Sequence, residues 1–191
     1  MEVGMKRWTM AIIVLATAGW AATSYAQLEP QSTMLITTAA YTYAQPQNFD
    51  QSLKGAGFSL AWEQVTWDRQ MSIGFGGGYG VSWFDRSNDR FSFRRMPFYA
   101  LFKGLFGPPK YAGYVGVGVG ASIDRLVVTG EDGVEQSRDQ APFSLMVPVG
   151  MYLVPNPKVG FNFNVSWSYS NTDFLKNGSF WAFGFGVLFL L

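Results

Sequence analysis

The most constraining stretch of this chain is residues 178–191, GSFWAFGFGVLFLL. Trp181, Phe183, Phe185, Val187, Phe189 and Leu191 recur at every second position, and Ala182, Gly184 and Gly186 lie between them. Period two is the repeat of a strand, because successive side chains of extended backbone point to opposite faces. A soluble sheet sets an apolar face against a polar one. Here a large apolar face is set against a small one. That contrast suits a strand whose outside meets lipid and whose inside meets a crowded or wet barrel lumen.

The other end of the chain carries a targeting pattern. Lys6 and Arg7 form a basic region, Met10 to Ala22 is apolar, and Ser24-Tyr25-Ala26 has the small-x-small form of a cleavage site. Residues 1–26 are therefore expected to be a secretory signal peptide and residues 27–191 a single barrel domain. The apolar run is short for a membrane-spanning helix, which takes about 20 residues. Glu2 suits a basic region poorly, so Met5 is an alternative start. The chain has no cysteine and a formal net charge of +1, which excludes a disulfide scaffold and gives no footprint for nucleic acid. No apolar run in the mature part reaches helix-span length, so a membrane-spanning form has to be a barrel.

Alternating segments fill the mature chain. They predict strands over residues 33–43, 54–66, 69–84, 91–103, 110–128, 142–154, 159–170 and 178–191. Residues 159–170 alternate most cleanly, with Phe161, Phe163, Val165, Trp167 and Tyr169 opposite Asn162, Asn164, Ser166, Ser168 and Ser170. The alternation conflicts near Phe91 and Phe93, where a bulge would resolve it. Connections alternate long and polar with short and tight, and 129–140 (TGEDGVEQSRDQ) reads as the longest and most charged loop. The fold class expected is all-β: an eight-stranded antiparallel up-and-down transmembrane β-barrel, preceded by a signal peptide. Both termini then lie on the periplasmic side.

Directly paired residues must share a face. Turns centred near Trp67-Asp68, Phe106-Gly107 and Asn156 pair Glu63 with Ser72, Arg95 with Gly118 and Asn164 with Pro148, all inward. Tyr41, Tyr43, Trp83, Trp167, Tyr169 and Trp181 fall near one end of the strands, and Trp62, Trp67, Phe102, Phe106, Tyr111 and Phe189 near the other. Two aromatic girdles belong at the two headgroup levels of a bilayer. A soluble eight-stranded barrel would need polar outward faces, which these strands lack.

The inward charges are the candidate site. Glu63 and Lys103 are expected to meet inside near the periplasmic turns as a salt bridge, with Arg95 higher and in need of an acid, because a buried charge needs a partner. The network reads either as a polar pathway for a small solute or as structural packing, since eight strands enclose little more than room for side chains. Met34, Ile36, Tyr99, Leu101, Met146 and Tyr152 are the large inward residues, facing strands that place mostly glycine, alanine and serine inside. They fill that space or line one side of a cavity for a lipid chain. Pro97 and Pro148 lie within strands, where each removes a ladder hydrogen bond. Arg94 faces outward near the upper rim as a candidate contact for lipopolysaccharide phosphate, or simply snorkels. No metal or cofactor is expected: His and Cys are absent, and the acids Glu131, Asp132, Glu135 and Asp139 read as a solvated loop.

The pattern as a whole resembles the small eight-stranded outer-membrane barrels of Gram-negative bacteria, of the OmpA-barrel and OmpX/Ail type. Gly186 followed by Phe189 and Leu191 is similar to the signal read by the barrel-assembly machinery, although such signals usually end in Phe. The resemblance implies a protein of the cell outer membrane, with outer-membrane lipid, lipopolysaccharide and the assembly machinery as partners, present as a monomer. Lipid A-modifying barrels of this size pair a histidine with a serine, and this chain has no histidine. The function expected is non-enzymatic, in envelope integrity or surface interaction through the loops. A narrow channel or carrier for a small or hydrophobic molecule is the alternative, ahead of a lipid A-modifying enzyme.

Overall fold

The computed structural model describes residues 28, 31–44, 52–68, 70–86, 89–108, 111–130, 133–155, 158–173 and 178–191. The expected signal peptide, the turn at Asn156 and the acids Glu131 and Asp132 lie outside them. The elements are β1 (Thr33–Ala44), β2 (Leu53–Val65), β3 (Met71–Arg86), β4 (Asp89–Phe106), β5 (Tyr111–Thr129), β6 (Glu135–Gln140), β7 (Phe143–Leu153), β8 (Val159–Ser170) and β9 (Gly178–Leu190). Every neighbouring pair is antiparallel. The sheet closes through β4–β5 and through β1–β9, where Met34 faces Leu190.

The wall is an eight-stranded barrel, and β6 is not a ninth member of it. β6 and β7 pair with β5 in one continuous register, Asp124 opposite Gln140 and Ala121 opposite Phe143, interrupted at Ala141-Pro142. The segment expected as the longest loop is therefore largely a strand that carries the β5 hairpin beyond the apolar belt. Its charges and period-hiding polarity concealed it: a strand wet on both faces has no alternation to read.

The outward side chains form that belt. Phe58, Phe75, Phe98 and Phe185 are all at least half exposed. Among the described residues none covers these rings, which is the exposure a lipid-facing belt requires. Tyr43, Trp181 and Trp167 lie side by side across β1, β9 and β8, and Trp62 stacks on Phe75 nearer the other end. The end carrying β1's start and β9's finish is called the turn end below, and the opposite one the loop end.

Two expectations need correction. All three hairpin registers differ from those predicted: Glu63 faces Gly74, Arg95 faces Asp124 and Asn164 faces Gly150. Each shift is an even number of residues, which leaves every side chain on its expected face. Nor does β4 bulge. Its ladder with β5 runs unbroken from Arg90–Thr129 to Phe106–Gly113. Phe93 simply points inward, where its ring stacks on Phe180 with centroids 5.5 Å apart.

Candidate functional site

Inside the barrel, side chains form layers. At the turn end an apolar floor of Met34, Ile36, Val65, Leu105, Tyr114 and Leu188 is packed shut. Tyr114 and Tyr152 lie against each other with ring centroids 4.5 Å apart, over the glycine at position 150. Tyr114 donates from its hydroxyl to Asn162 Oδ1 at 2.8 Å, and Asn162 Nδ2 donates to Thr38 Oγ1 at 3.1 Å.

Glu63 and Lys103 meet on this floor as a buried ion pair, Lys103 Nζ donating to Glu63 Oε1. Lys103 Nζ also donates to the Tyr152 hydroxyl at 2.8 Å and sits 4.5 Å from the centre of the Tyr114 ring. Glu63 Oε2 accepts from Ser72 Oγ at 2.9 Å and from the Tyr152 hydroxyl at 3.2 Å. A desolvated pair survives only when its remaining donors and acceptors are met in this way.

Arg95 belongs to a second layer toward the loop end. Its Nε lies 3.6 Å from Asp124 Oδ1, an ion pair with no hydrogen bond at either of those two buried atoms. Its Nη1 donates to Ser168 Oγ at 3.1 Å, and Nη2 donates to Ser144 Oγ at 3.0 Å and to the Tyr99 hydroxyl at 3.3 Å. Asp124 Oδ2 accepts from Ser170 Oγ at 3.0 Å, and Ser122 and Ser144 are bonded at 2.9 Å. Above, Phe93, Phe180, Ala44 and Leu53 close an apolar cluster, and the Arg95 guanidinium stands 4.8 Å from the Phe180 ring centre.

The structure thus brings Glu63 to Lys103 but sets Arg95 apart from both. Among the described residues the buried lumen charges form two separate pairs with no net charge. Sequence reasoning placed Asp124 inward yet missed it as the partner of Arg95, because the predicted register set Gly118 opposite Arg95. It also missed Tyr152 as a partner of Glu63, whereas Ser72, which it set directly opposite Glu63, lies two ladder positions away and still donates to its carboxylate. Serines at inward positions on facing strands were the available signal for the upper network.

Arg94 lies on the outer surface, exposed, with Val81 on one side and Arg125 on the other. Arg125 is engaged by Asp139 of β6, whose Oδ1 and Oδ2 accept from its Nε and Nη2 at 2.6 and 2.7 Å. This bidentate bond to Arg125 holds the Asp139 carboxyl below the usual carboxylate range.

No protein-family model matches the chain, and no curated protein sequence does. Solved structures do. Neisserial surface protein A aligns with a TM-score of 0.61 at 18% identity, over 83% of this chain and 97% of its own. Ail, the attachment invasion locus protein of Yersinia pestis, aligns at 0.59 and 16% identity, over 85% and 100%. PagL, described as an outer membrane enzyme, aligns at 0.52 and 14% identity, over 81% and 97%. The alignments span nearly the whole of each of these structures, and the likeness is one of fold. With its closed antiparallel wall and its belt of exposed aromatic rings, the chain has the fold of the small eight-stranded outer-membrane barrels of Gram-negative bacteria.

Proposed function

We propose that this barrel is non-enzymatic and serves envelope integrity or surface interaction through its loop end, with its lumen as a permanent plug. One observation carries the reading: the Glu63–Lys103–Tyr152 layer and the apolar floor around it are buried together inside the barrel at the turn end. Eight strands leave room for side chains rather than for an aqueous path, and these side chains use that room. Two balanced ion pairs also give no reason for ion selection.

The absence of histidine from the sequence supports the non-enzymatic reading. The buried serines bond to one another and to Asp124 and Glu63, carboxylates each held in an ion pair, by Arg95 and by Lys103. PagL, an enzyme by its description, makes the test worthwhile. The lipid A mass spectrum of cells overproducing this protein is expected to be unchanged. A planar-bilayer recording is expected to show no discrete conductance. A mass shift overturns the non-enzymatic reading, and a conductance abolished by changing Glu63 or Lys103 overturns the plug.

At the rim, exposed Arg94 stands opposite Arg125, whose charge Asp139 offsets, and an anion outside the protein can pair with Arg94. Lipopolysaccharide phosphate is the anion available at that level of an outer membrane. Surface binding of lipopolysaccharide to the reconstituted barrel, weakened by Arg94→Gln, is the expected result. Equal binding by the variant overturns the assignment.

A further inference from the structure

One residue of the lumen floor does not come from the barrel wall. The apolar cluster at the turn end holds Leu28 together with Met34, Val65, Leu105, Ala112 and Leu188. Those five are carried by β1, β2, β4, β5 and β9. Leu28 precedes Thr33, the first residue of β1, by five positions, yet it is only 3% exposed. Residues ahead of a first strand are loose unless something ties them down. Extended backbone rises about 3.3 Å per residue, so a straight continuation of β1 would carry Leu28 about 16 Å past Thr33 and away from the barrel. Its burial in the floor requires the chain to turn back across the mouth.

That turn is visible at Gln31. Its φ of 64° is left-handed, and among the described residues other than glycine it is alone in that region. L side chains disfavour such backbone, which persists only where the surroundings determine it. Here both neighbouring strands do so. Gln31 N–H donates to the Val65 carbonyl oxygen at 3.2 Å, and Val65 N–H donates to the Ser32 carbonyl oxygen at 3.0 Å. These bonds extend the β1–β2 ladder past its last pair, Thr33–Gln64. From the β9 side, Leu191 N–H donates to the Thr33 carbonyl oxygen at 2.9 Å. The start of β1 is clamped on both edges, and the chain leaves the wall at one fixed residue.

The rung beneath Leu28 is drier than its position in the wall accounts for. Inward side chains at the last rung of an open barrel meet water. Val65 ends β2 and is 1% exposed, and Ala112, the second residue of β5, is 0% exposed. A cap over this rung explains both, and Leu28 is the described residue outside the wall that is buried with them. Directly behind the rung lies the charged layer. Val65 pairs with Ser72, and Ser72 Oγ donates to the carboxylate of Glu63, the partner of Lys103.

We propose that Leu28 is the stopper of the lumen: an apolar side chain ahead of β1 that seats in the turn-end mouth and holds water off the Glu63–Lys103 pair. The inference rests on the reading of the lumen as a plug, and it names the part of that plug that can be withdrawn. The strand-borne side chains of the floor cannot leave without opening the wall. Leu28 can, because only its own packing and the turn at Gln31 keep it in place. Closure of the turn end then depends on the burial of one leucine, which shifts a closed-to-open equilibrium by about 10- to 100-fold.

The chain has no cysteine, so single thiols serve as reporters. Ser72→Cys places one beside Glu63 at the turn end, and Ser82→Cys places one inside near the loop end, both at buried positions. The mature barrel in detergent micelles is treated with a small charged methanethiosulfonate, which reacts with a thiol that water reaches. Mass spectrometry reads the labelling rates. With Leu28 in place, Ser72→Cys is expected to label slowly. Leu28→Asp puts an unpaired charge into an apolar seat, which drives the side chain out. Labelling of Ser72→Cys is then expected to rise about 10- to 100-fold, while Leu28→Met keeps it slow. Gln31→Pro fixes φ at about −65° and removes the turn with Leu28 unchanged, so it is expected to match Leu28→Asp. Ser82→Cys is expected to label at one rate throughout. Heat-modifiable gel migration checks that each variant folds, and Gln31→Pro carries the comparison alone if Leu28→Asp does not. Slow, equal rates at Ser72→Cys in all variants overturn the stopper and leave the plug standing. Fast labelling of Ser72→Cys with Leu28 in place overturns the plug itself. An equal rise at Ser82→Cys shows the whole barrel loosening and overturns the local seat.

Discussion

Arg95 and Asp124 occupy directly opposed positions on β4 and β5, and their closest charged atoms are 3.6 Å apart inside the barrel. The carboxylate is fully buried and is the only acid in contact with that guanidinium among the described residues. Removing one partner strands the other. Asp124→Asn is therefore expected to destabilise the barrel by about 3–5 kcal/mol. The double change Arg95→Met with Asp124→Leu is expected to cost less than the two single changes added together. Urea unfolding in detergent micelles checks this, and strictly additive losses would show that the pair is not coupled.

The Tyr152 hydroxyl touches both members of the other pair, accepting from Lys103 and donating to Glu63. Tyr152→Phe keeps the ring against Tyr114 and deletes only those two bonds. A loss of about 1–3 kcal/mol is expected for leaving charged groups short of a partner. Lys103→Met is expected to cost more, because Glu63 then stays buried with no counter-charge. Comparing the two unfolding midpoints decides the order.

Two glycines separate close packing from empty space. A methyl group at Gly150 would lie 2.6 Å from Cζ and from the hydroxyl oxygen of Tyr114, a ring already fixed by Tyr152 and Asn162. Gly150→Ala is expected to destabilise by about 1–3 kcal/mol through overpacking. Gly80 faces open lumen. Gly80→Ala is expected to be neutral or to stabilise by about 0.4–1 kcal/mol through the unfolded chain. Equal losses at both positions would mean that the cavity beside Gly80 is filled.

Asp139 titrates in the extension beyond the belt. Its folded carboxyl lies below the ordinary value of about 3.9, so the stability it contributes is fully present above that value. It is lost as the pH falls through the lower, folded value. Amides of β6 are expected to exchange faster below about pH 4, and Asp139→Asn should give that faster exchange already at neutral pH. Exchange that is independent of pH, after correction for the intrinsic rate, would show that Arg125 does not hold β6.

The faces of the strands were legible in the sequence, and the registers were not. Both facts come from the same physics. A face depends on parity, so alternation over Phe161 to Ser170 reveals it directly. A register depends on where the turn is centred, and any even slip keeps every face correct. The test applied to Glu63, Arg95 and Asn164 was a test of parity alone. It could pass with the hairpin between β4 and β5 displaced, and so it hid Asp124 from Arg95 while leaving Glu63 and Lys103 on one face. β6 went unread because its alternation encodes no contrast between water and lipid.

The two prolines also divide the wall. The hairpin of β4 and β5 is unbroken within itself, and each of its outer edges lacks two ladder pairs, beside Pro97 on one side and Pro148 on the other. Mechanically the ring is two plates joined along two weakened seams: a narrow plate of two strands and a broad one of six. Lateral pressure from a bilayer would bend such a ring at its seams before it bent either plate. The narrow plate carries Arg95 and Lys103 on its inner surface, while Glu63, Tyr152 and Ser168 belong to the broad one. The contacts of Lys103 with Glu63 and Tyr152 and of Arg95 with Ser168 are thus clasps across the seams, and they set how far the barrel can flex.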